Sequence, residues 1–178
     1  MSVPGCLDVD GLRLAPLRAR HEQEARAACS ELEAEGFPFL LGMESSMPWD
    51  DYLARMAANR CGRRLRAGQV PSTFLGAFVD GALVGRTSIR HELNPFLERE
   101  GGHIGYAVRP AHRRRGFATA ILRQSLVVAR AAGVEEVLVT CDDDNVASAT
   151  VIERCGGVLE DVVPPEAGGT PLRRYWIS

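Results

Sequence analysis

The sequence of 178 residues contains no lysine, so all 21 of its basic residues are arginine. Without lysine, a Schiff-base enzyme and a phosphate site built on a lysine charge are both excluded. No apolar run approaches the roughly 20 residues that a membrane-spanning helix needs, and the first ten residues lack the charged and apolar regions of a secretion signal. We therefore expect a cytoplasmic protein with no membrane partner.

Cysteine is also scarce and irregularly placed, at Cys6, Cys29, Cys61, Cys141 and Cys155. An odd number of cysteines without a close pair fits neither the ligand spacing of a zinc site nor a framework of disulfides. We predict reduced thiols and no bound metal.

Apolar residues make up 46% of the chain and charged residues 25%, which is typical of globular rather than disordered or fibrous proteins. The net charge of -2 argues against a nucleic-acid binder, because such proteins present a broad positive surface. The length fits one domain of ordinary size. We predict a single domain over residues 1–178.

Two helices are predicted in the first 70 residues. A short strand over residues 11–17 precedes a helix over residues 21–35, and Pro48 suits the start of a second helix over residues 49–59. Residues 60–71 are expected to form a loop.

The rest of the chain alternates strands with helices. Residues 72–79 and 82–90 are two strand-like runs joined by the turn dipeptide Asp80-Gly81, which predicts a hairpin. Further strands are predicted over residues 103–108, 134–141, 158–163 and 172–177. Helices are predicted over residues 115–132 and from a cap at Asp144 or Asn145 through Arg154. This mixed order indicates an α/β or α+β fold with a mixed sheet.

The most informative segment is VRPAHRRRGFATAIL, residues 108–122, where an arginine-rich turn joins a strand to an apolar helix. Backbone N–H groups at a helix start suit a pyrophosphate, and Gly116 lets the backbone come close to it. Arg113, Arg114 and Arg115 add positive charge. The pattern differs from the P-loop and from GxGxxG, so ATP and NAD sites lose their main support. A solvated basic helix start with a packing glycine is the alternative.

The same segment resembles the acetyl-CoA signature of the GNAT superfamily of N-acetyltransferases, which is Arg or Gln, two residues, Gly, one residue, then Gly or Ala. Arg113, Gly116 and Ala118 match this signature. Asn145, which follows a strand and opens a helix, is similar to a CoA-contacting asparagine of the family, and Ser148 follows it. HELN, GGHIGY, CDDDNVAS and RYWI are similar to a bacterial subgroup described only as predicted acetyltransferases.

The resemblance implies a splayed, mostly antiparallel mixed sheet flanked by helices. The acyl-pantetheine arm of acetyl-CoA would lie between the strands HIGYAV and VEEVLVTC, with Val108 as a backbone contact and Phe117 in the pyrophosphate loop. Residues 72–177 would form the cofactor-binding core, and residues 1–70 the helices on the acceptor side. The family also implies direct transfer of the acetyl group to an amine, without a metal.

The chain departs from the family at Ile152, where many relatives carry a tyrosine that protonates the departing thiolate. The proton would then come from Tyr106, Cys141 or water, or would be dispensable because a thiol is already a good leaving group. The missing tyrosine also supports a rival interpretation, a catalytically silent sensor that binds acyl-CoA.

His103 is the candidate general base, because it falls on the strand before Val108, where many relatives carry a glutamate. Its unperturbed pKa of about 6.5 suits proton transfer near neutrality. A hydrogen-bonded packing histidine is an equal alternative. His91 and Glu92 are the reserve candidates, with surface residues at a hairpin edge as their alternative.

Three weaker candidate clusters are the acidic run 142–144, the arginines of residues 60–66, and Trp49 with Asp50 and Tyr52. Acidic residues are ordinary at helix starts, and a charge run is ordinary in a solvated loop, so we favour those interpretations. Core packing is the alternative for the two aromatic residues. The acceptor has no signature in the sequence: a small molecule and a protein N-terminus both stay open, as does a homodimer.

Overall fold

The computed structural model describes residues 11–164 and 168–178, so Cys6 lies outside the described residues. Its helices are α1 (Glu22–Glu33), α2 (Trp49–Arg60), α3 (Phe117–Ala131) and α4 (Val146–Arg154). Its strands are β1 (Arg13–Ala15), β2 (Ser72–Val79), β3 (Ala82–Arg90), β4 (Ile104–Val108), β5 (Val137–Asp142), β6 (Val158–Val163) and β7 (Leu172–Ile177). Short 3-10 turns occur at Ala19–His21 and Pro110–His112, and a π-helical turn occurs at Leu97–Gly101.

The strands form two antiparallel sheets, with the orders β1-β2-β3-β4 and β5-β7-β6. The predicted hairpin is confirmed, because Asp80 and Gly81 join β2 to β3 with φ angles of 49° and 86°. A two-residue hairpin turn of this kind needs two left-handed residues. Within the described residues β4 and β5 contact each other without forming a strand pair. The sheet is therefore splayed between them, as predicted.

Alternate side chains of β3 face opposite sides of its sheet, because successive residues of a strand point in opposite directions. On the side that we call the back face, Thr87 accepts a 2.9 Å hydrogen bond from Ser125 of α3. On the opposite side, the front face, Arg86 donates to the carbonyl oxygen of Pro38, which follows α1. Helices α3 and α4 pack behind the splay, and α1 and α2 pack in front of it.

Several elements differ from the sequence prediction by one to three residues at their ends, among them β1 (Arg13–Ala15), α3 (Phe117–Ala131) and β5 (Val137–Asp142). The first helix begins at Glu22, because His21 belongs to a 3-10 turn in which its Nδ1 accepts from the Arg18 N–H at 3.0 Å. The predicted polar connection between β3 and β4 contains the π-helical turn. Asn94 holds the start of this turn, since its Oδ1 accepts from the Leu97 N–H at 2.9 Å.

None of the helices in the described ranges combines the length and the apolar character needed to cross a bilayer.

Candidate active site

A cleft opens between β4 and β5, and backbone groups line its β4 wall. The Arg109 N–H donates to the Val84 carbonyl oxygen at 2.9 Å, which marks a hydrogen-bonded pair of the β3–β4 ladder. In an antiparallel ladder such pairs alternate with pairs whose backbone groups point outward. The N–H and C=O groups of Tyr106 and Val108 therefore point away from β3, toward β5.

His103 joins the two strands at one end of this cleft. Its backbone N–H donates to the Leu138 carbonyl oxygen at 2.7 Å, and its ring Nδ1 accepts from the Leu138 N–H at 2.9 Å. Gly102 has a φ of 61°, and a Cβ at this position would lie only 2.7 Å from the Leu138 oxygen. We call the contact of Gly102 and His103 with Leu138 the clasp. It explains why a glycine precedes the histidine at these two positions.

The clasp constrains the chemistry that was predicted for His103. A neutral imidazole has one free ring lone pair, and here the Leu138 N–H already occupies it. Burial lowers the pKa of His103, and the positive charge of Arg90 lowers it further. For His103 to accept a proton, the Leu138 bond must first break. The role of His103 as general base stays a prediction, and it requires that the hydrogen bond from Leu138 be broken.

Tyr106, Ser148 and Cys141 come together behind the cleft. The Tyr106 hydroxyl lies 2.9 Å from the Ser148 Oγ of α4. Burial raises the pKa of Tyr106 to about 12, although the hydrogen bond to Ser148 opposes that shift. The pKa of the Cys141 thiol is raised by burial and lowered in part by its own hydrogen bond to Ser148. Both groups therefore keep their protons near neutral pH.

Ile152 cannot take part in proton transfer, and the structure shows what it does instead. Its side chain is fully buried and packs in the core shared by α3 and α4. The Gly157 backbone is so close that a Cβ there would lie 2.5 Å from the Ile152 Cγ2. The position where the resemblance leads one to expect a tyrosine is thus a packing site.

Gly116 begins α3 in a left-handed conformation, with a φ of 82° and no capping side chain. The first N–H groups of a helix have no partner within the helix, so this start presents donors and the positive end of the helix dipole. Arg114 and Arg115 are exposed, and Arg114 also has a positive φ, of 63°. Phe117 is buried under Arg115, whose guanidinium lies 5.0 Å from the ring centre.

Arg113 differs from its two neighbours because its side chain is engaged. Its Nη1 and Nη2 donate to the two carboxylate oxygens of Glu35 at 2.9 and 2.6 Å, and its Nε donates to the Val108 carbonyl oxygen at 3.1 Å. Arg113 thereby ties the end of β4 to the residues that follow α1. The Val108 carbonyl already accepts one bond, whereas its N–H points into the cleft.

Asn145 is the N-cap of α4, since its Oδ1 accepts from the Ser148 N–H at 3.0 Å. The predicted helix start is confirmed. The Asn145 side chain is exposed, and contact with CoA stays a prediction for its amide group. The same cap places Ser148, and through it the hydrogen bond to Tyr106.

The reserve candidates, His91 and Glu92, follow directly after the end of β3. The His91 Nε2 is 2.9 Å from the Thr73 Oγ1, and burial lowers the pKa of His91, with Arg60 adding to the effect. Glu92 is exposed.

In the acidic run 142–144, Asp143 forms a 2.7 Å ion pair with Arg173 of β7.

Of the other two clusters, Trp49 and Tyr52 are buried core residues with rings 5.4 Å apart, whereas Asp50 is exposed. Packing therefore accounts for both aromatic residues. The arginines of residues 60–66 are exposed, and Arg66 pairs with Glu44 at 2.6 Å. The solvated-loop interpretation of that run fits the structure.

Sequence reasoning missed two arginines of β3, Arg86 and Arg90, which lie on the front face. Their spacing was the available signal, because residues four apart on a strand share a face and charges are rare in an otherwise apolar strand. Arg90 lines a front cavity of about 220 Å³ together with Ser88 and Asn59. Elsewhere in the described ranges, no group of three or more His, Cys, Asp or Glu residues is arranged to hold a metal ion.

The family model described as "Acetyltransferase (GNAT) family" matches residues 27–157, which is more than half of the chain. No curated protein has significant sequence similarity to the chain. Solved structures with the same fold include YncA, a putative acetyltransferase from Salmonella typhimurium with acetyl-CoA, at 15% identity, with 95% of this chain and 94% of that chain covered and a TM-score of 0.66.

Two further solved structures have the same fold, with similar TM-scores. The microcin C7 self-immunity acetyltransferase MccE, in complex with acetyl-CoA and AMP, is 15% identical, with 94% and 92% of the two chains covered and a TM-score of 0.67. RimL, a ribosomal L7/L12 alpha-N-protein acetyltransferase in complex with CoA, is 15% identical, with 94% of each chain covered and a TM-score of 0.65. At these identities the likeness establishes a common fold.

Proposed function

The chain belongs to the GNAT family of acetyltransferases, which makes it an acyltransferase that uses acetyl-CoA, and we propose that its acceptor is an amine. The observation that carries this proposal is the cleft between β4 and β5, with outward backbone groups at Tyr106 and Val108. An acetyl donor held there faces the front side of the molecule, where a cavity adjoins β3. Donor and acceptor then meet in one ternary complex.

The residues around the cleft fit the chemical groups of acetyl-CoA. Its pantetheine arm carries amides, which need both donors and acceptors, and the outward N–H groups of Tyr106 and Val108 supply donors. The α3 start at Gly116 suits the pyrophosphate, with Ala118 in the first turn, and Arg114 and Arg115 supply positive charge.

The other predicted contacts support this binding in different ways. Phe117 and Arg113 fix the shape of the loop through packing and ion pairing. Asn145 and Ser148 border the cleft from the start of α4, where Ser148 also bonds to Tyr106. We include all four in the proposed donor site.

The reaction is a nucleophilic substitution at the thioester carbonyl. The amine nitrogen forms a bond to the carbonyl carbon, the carbon–sulfur bond breaks, the nitrogen gives up a proton, and the departing thiolate gains one. We assign the donation of that last proton to Tyr106, whose hydroxyl lies behind the cleft beside Ser148 and stays protonated because burial raises its pKa to about 12. Tyr106 would regain a proton through Ser148 or water.

Two residues are candidates for removing the amine proton, and they differ in whether a hydrogen bond must first be broken. His103 must first release Leu138, whereas Glu92 is exposed and requires no bond to break. The pH dependence of kcat/KM separates them, since a limb that vanishes in His103→Ala or in Glu92→Gln identifies the base. A limb present in both variants points to deprotonation of the amine in solution.

The overall proposal is tested by CoA release from acetyl-CoA in the presence of a panel of amines. We expect turnover of at least one class, and Tyr106→Phe should lower kcat by about 10²- to 10⁴-fold, the usual range for a general acid, with the KM for acetyl-CoA unchanged. Tyr175→Phe is the matched control, because it removes a buried hydroxyl that bonds to Glu153 of α4. Full activity in Tyr106→Phe would show that Tyr106 is not the general acid.

The rival interpretation, a sensor that binds acyl-CoA without turnover, predicts a different result. Such a protein would bind CoA by calorimetry and release none of it from acetyl-CoA with any amine. We also propose that residues 1–178 act as one cytoplasmic domain, with residues 1–70 on the acceptor side and residues 72–177 as the donor-binding core.

A further inference from the structure

Two guanidinium groups on the front face lie in or near the protein interior without an acidic partner. Arg86 is only 3% exposed, and it donates to the carbonyl oxygens of Gly105 and Pro38 at 3.0 Å. Arg90 is largely buried and donates to the carbonyl oxygens that immediately precede His103, at 2.9 and 3.0 Å. Across the part of the chain that the structure describes, neither arginine forms a salt bridge.

These two positive charges also converge. A Cβ placed on Gly105 of β4 would lie 3.7 Å from the Arg86 Nη1 and 4.0 Å from the Arg90 Nη1, so both groups meet over the same residue. Burial lowers the pKa of Arg86 to about 10, and repulsion from Arg90 adds to that shift. A buried charge is costly unless a counter-charge accompanies it. Within the described residues Arg86 is held by carbonyl oxygens and lies 4.8 Å from the centre of the Phe37 ring, so an anion from outside the chain would lower the cost of the buried charge.

The front cavity is where such an anion has access. Arg90 lines this cavity of about 220 Å³, and Ser88 lies beside it on β3. Asn59 of α2, 7% exposed, also lines the cavity, and its Oδ1 has no hydrogen-bond partner within the described residues. An acceptor atom at a cavity wall is free to accept a hydrogen bond from an N–H or O–H of a ligand or of water.

The other side chains that line the cavity are mostly apolar and include Leu41, Met56, Phe74, Phe96 and Leu97, while Gln69 and Ser72 add polar groups. The cavity thus combines positive charge and hydrogen-bonding groups with hydrophobic contact. A polycation such as a polyamine is a poor fit, because the Arg90 guanidinium at the cavity wall would repel it.

We propose that the front cavity is the acceptor site and that the acceptor is a small amine that also carries a carboxylate on an apolar body. The carboxylate pairs with the Arg90 guanidinium, and Asn59 accepts a hydrogen bond from the ligand. This inference rests on the proposed acetyl transfer and names its substrate class. Gly105, over which the arginines meet, directly precedes Tyr106 in β4, so the bound amine lies beside the cleft.

Matched pairs of acceptors test the inference with the full chain. CoA release is measured with L-leucine, L-methionine and L-phenylalanine, and with the amide of each. We expect kcat/KM to be at least about tenfold higher for the carboxylate of a pair, since one charge-assisted hydrogen bond is worth that much. Equal rates for all three pairs, or faster reaction of the amides, would overturn the inference while leaving the acetyltransferase proposal intact.

Two variants localise the effect. Asn59→Asp keeps the shape of the side chain and places a negative charge at the cavity wall, so it should raise the KM of the carboxylates at least about tenfold and spare the amides. Arg90→Gln should do the same by removing the cation. Arg130→Gln is the matched control, since this exposed arginine at the end of α3 donates to the Ser178 carbonyl oxygen and does not line the front cavity.

A binding measurement keeps the two proposals distinguishable when no amine is acetylated. Calorimetry of the CoA-loaded protein with each of the three amino acids should then show binding that Asn59→Asp and Arg90→Gln weaken and Arg130→Gln does not. That result would support the anion site while the acetyltransferase proposal fails. Absence of both turnover and binding for all three amino acids would overturn the anion site as well.

Discussion

The proposed donor cleft and the front cavity differ in which atoms they present. The cleft offers backbone groups: the outward N–H groups of β4 and the helix start at Gly116, which a φ of 82° exposes. The cavity offers side chains: the Arg90 guanidinium and the unpaired Asn59 Oδ1. In our proposal the cleft binds acetyl-CoA through backbone atoms, and the cavity binds the acceptor through side chains.

This difference explains why one side has a sequence motif and the other has none. A backbone that must turn left-handed at a given point needs glycine there, so Gly116 stands at a fixed distance from its neighbours. Asn59 and Arg90 come from a helix and a strand 31 positions apart in sequence, and only folding brings them to one cavity. Substitutions should therefore act differently on the two sides.

The largest expected effect is at Gly116. Gly116→Asp places a carboxylate where we propose the pyrophosphate, and its affinity for CoA should fall about 100-fold or more, because like charges repel at close range. Gly116→Asn has the same size and the same left-handed conformation without the charge, and it should bind CoA more tightly than the Asp variant. Calorimetry with CoA measures both affinities.

Gly133 provides the control for this comparison. It follows α3 at the opposite end, has a φ of 92°, and has open space around the position of a Cβ. Gly133→Asp should leave CoA affinity unchanged. Equal CoA affinity in Gly116→Asp and the parent protein would show that the start of α3 is not the pyrophosphate site.

A smaller effect is expected at the clasp, which holds the end of the cleft. His103→Ala leaves the buried Leu138 N–H without its acceptor, which should cost about 1–3 kcal/mol of unfolding free energy. His103→Asn places an oxygen near the former Nδ1 and should recover most of that loss in urea denaturation. If His103 is instead the general base, the Asn variant should be as slow in turnover as the Ala variant.

The clasp also predicts a pH dependence of stability. An unfolded histidine titrates near pH 6.5, at about its reference pKa, while burial lowers the pKa of folded His103. Between those values the unfolded chain binds more protons, so stability falls as pH drops below about 6.5 and is constant above it. His103→Asn should lose its share of this slope, with His21 and His91 retaining theirs, since their pKa values are also lowered. An unchanged slope would contradict this account.

The smallest effect concerns Asn145. Asn145→Ala removes the cap of α4 and should lower stability by about 1 kcal/mol and CoA affinity by a few fold. Asn145→Asp retains the oxygen that accepts from Ser148 but lacks the amide donor. If Asn145 contacts CoA, Asn145→Asp should be as stable as the parent protein but should bind CoA more weakly. Parent-like affinity in both variants would leave Asn145 as a cap alone.

The sequence was informative where local chemistry decides the structure. The hairpin follows from Asp80-Gly81, the α4 start follows from Asn145, and the α3 start follows from Gly116. Each of these residues either adopts the backbone conformation that the turn needs or forms a hydrogen bond to the backbone a few positions away. The splayed sheet and the acetyltransferase family followed from a resemblance carried by the same short segments.

The roles of His103 and Arg90 were not visible in the sequence, because their partners are distant or lie in the backbone. The His103 ring bonds to a backbone N–H 35 positions away, and no spacing rule reports such a contact. The alternation of β3 does place Arg86 and Arg90 on one face. It does not say that this face is buried, which depends on how α1 and α2 fold over it.

The separation of β4 from β5 has a consequence for the solubility of the folded chain. A strand with free backbone groups at a sheet edge is a template for pairing with another molecule, and proteins normally shorten or cover such edges. Here the two edges face each other across the cleft, joined at His103 and Leu138, whereas of the two outer edge strands β1 has three residues and β6 has six. The molecule thereby keeps unpaired backbone groups for a ligand without offering them as a long edge on which aggregation begins.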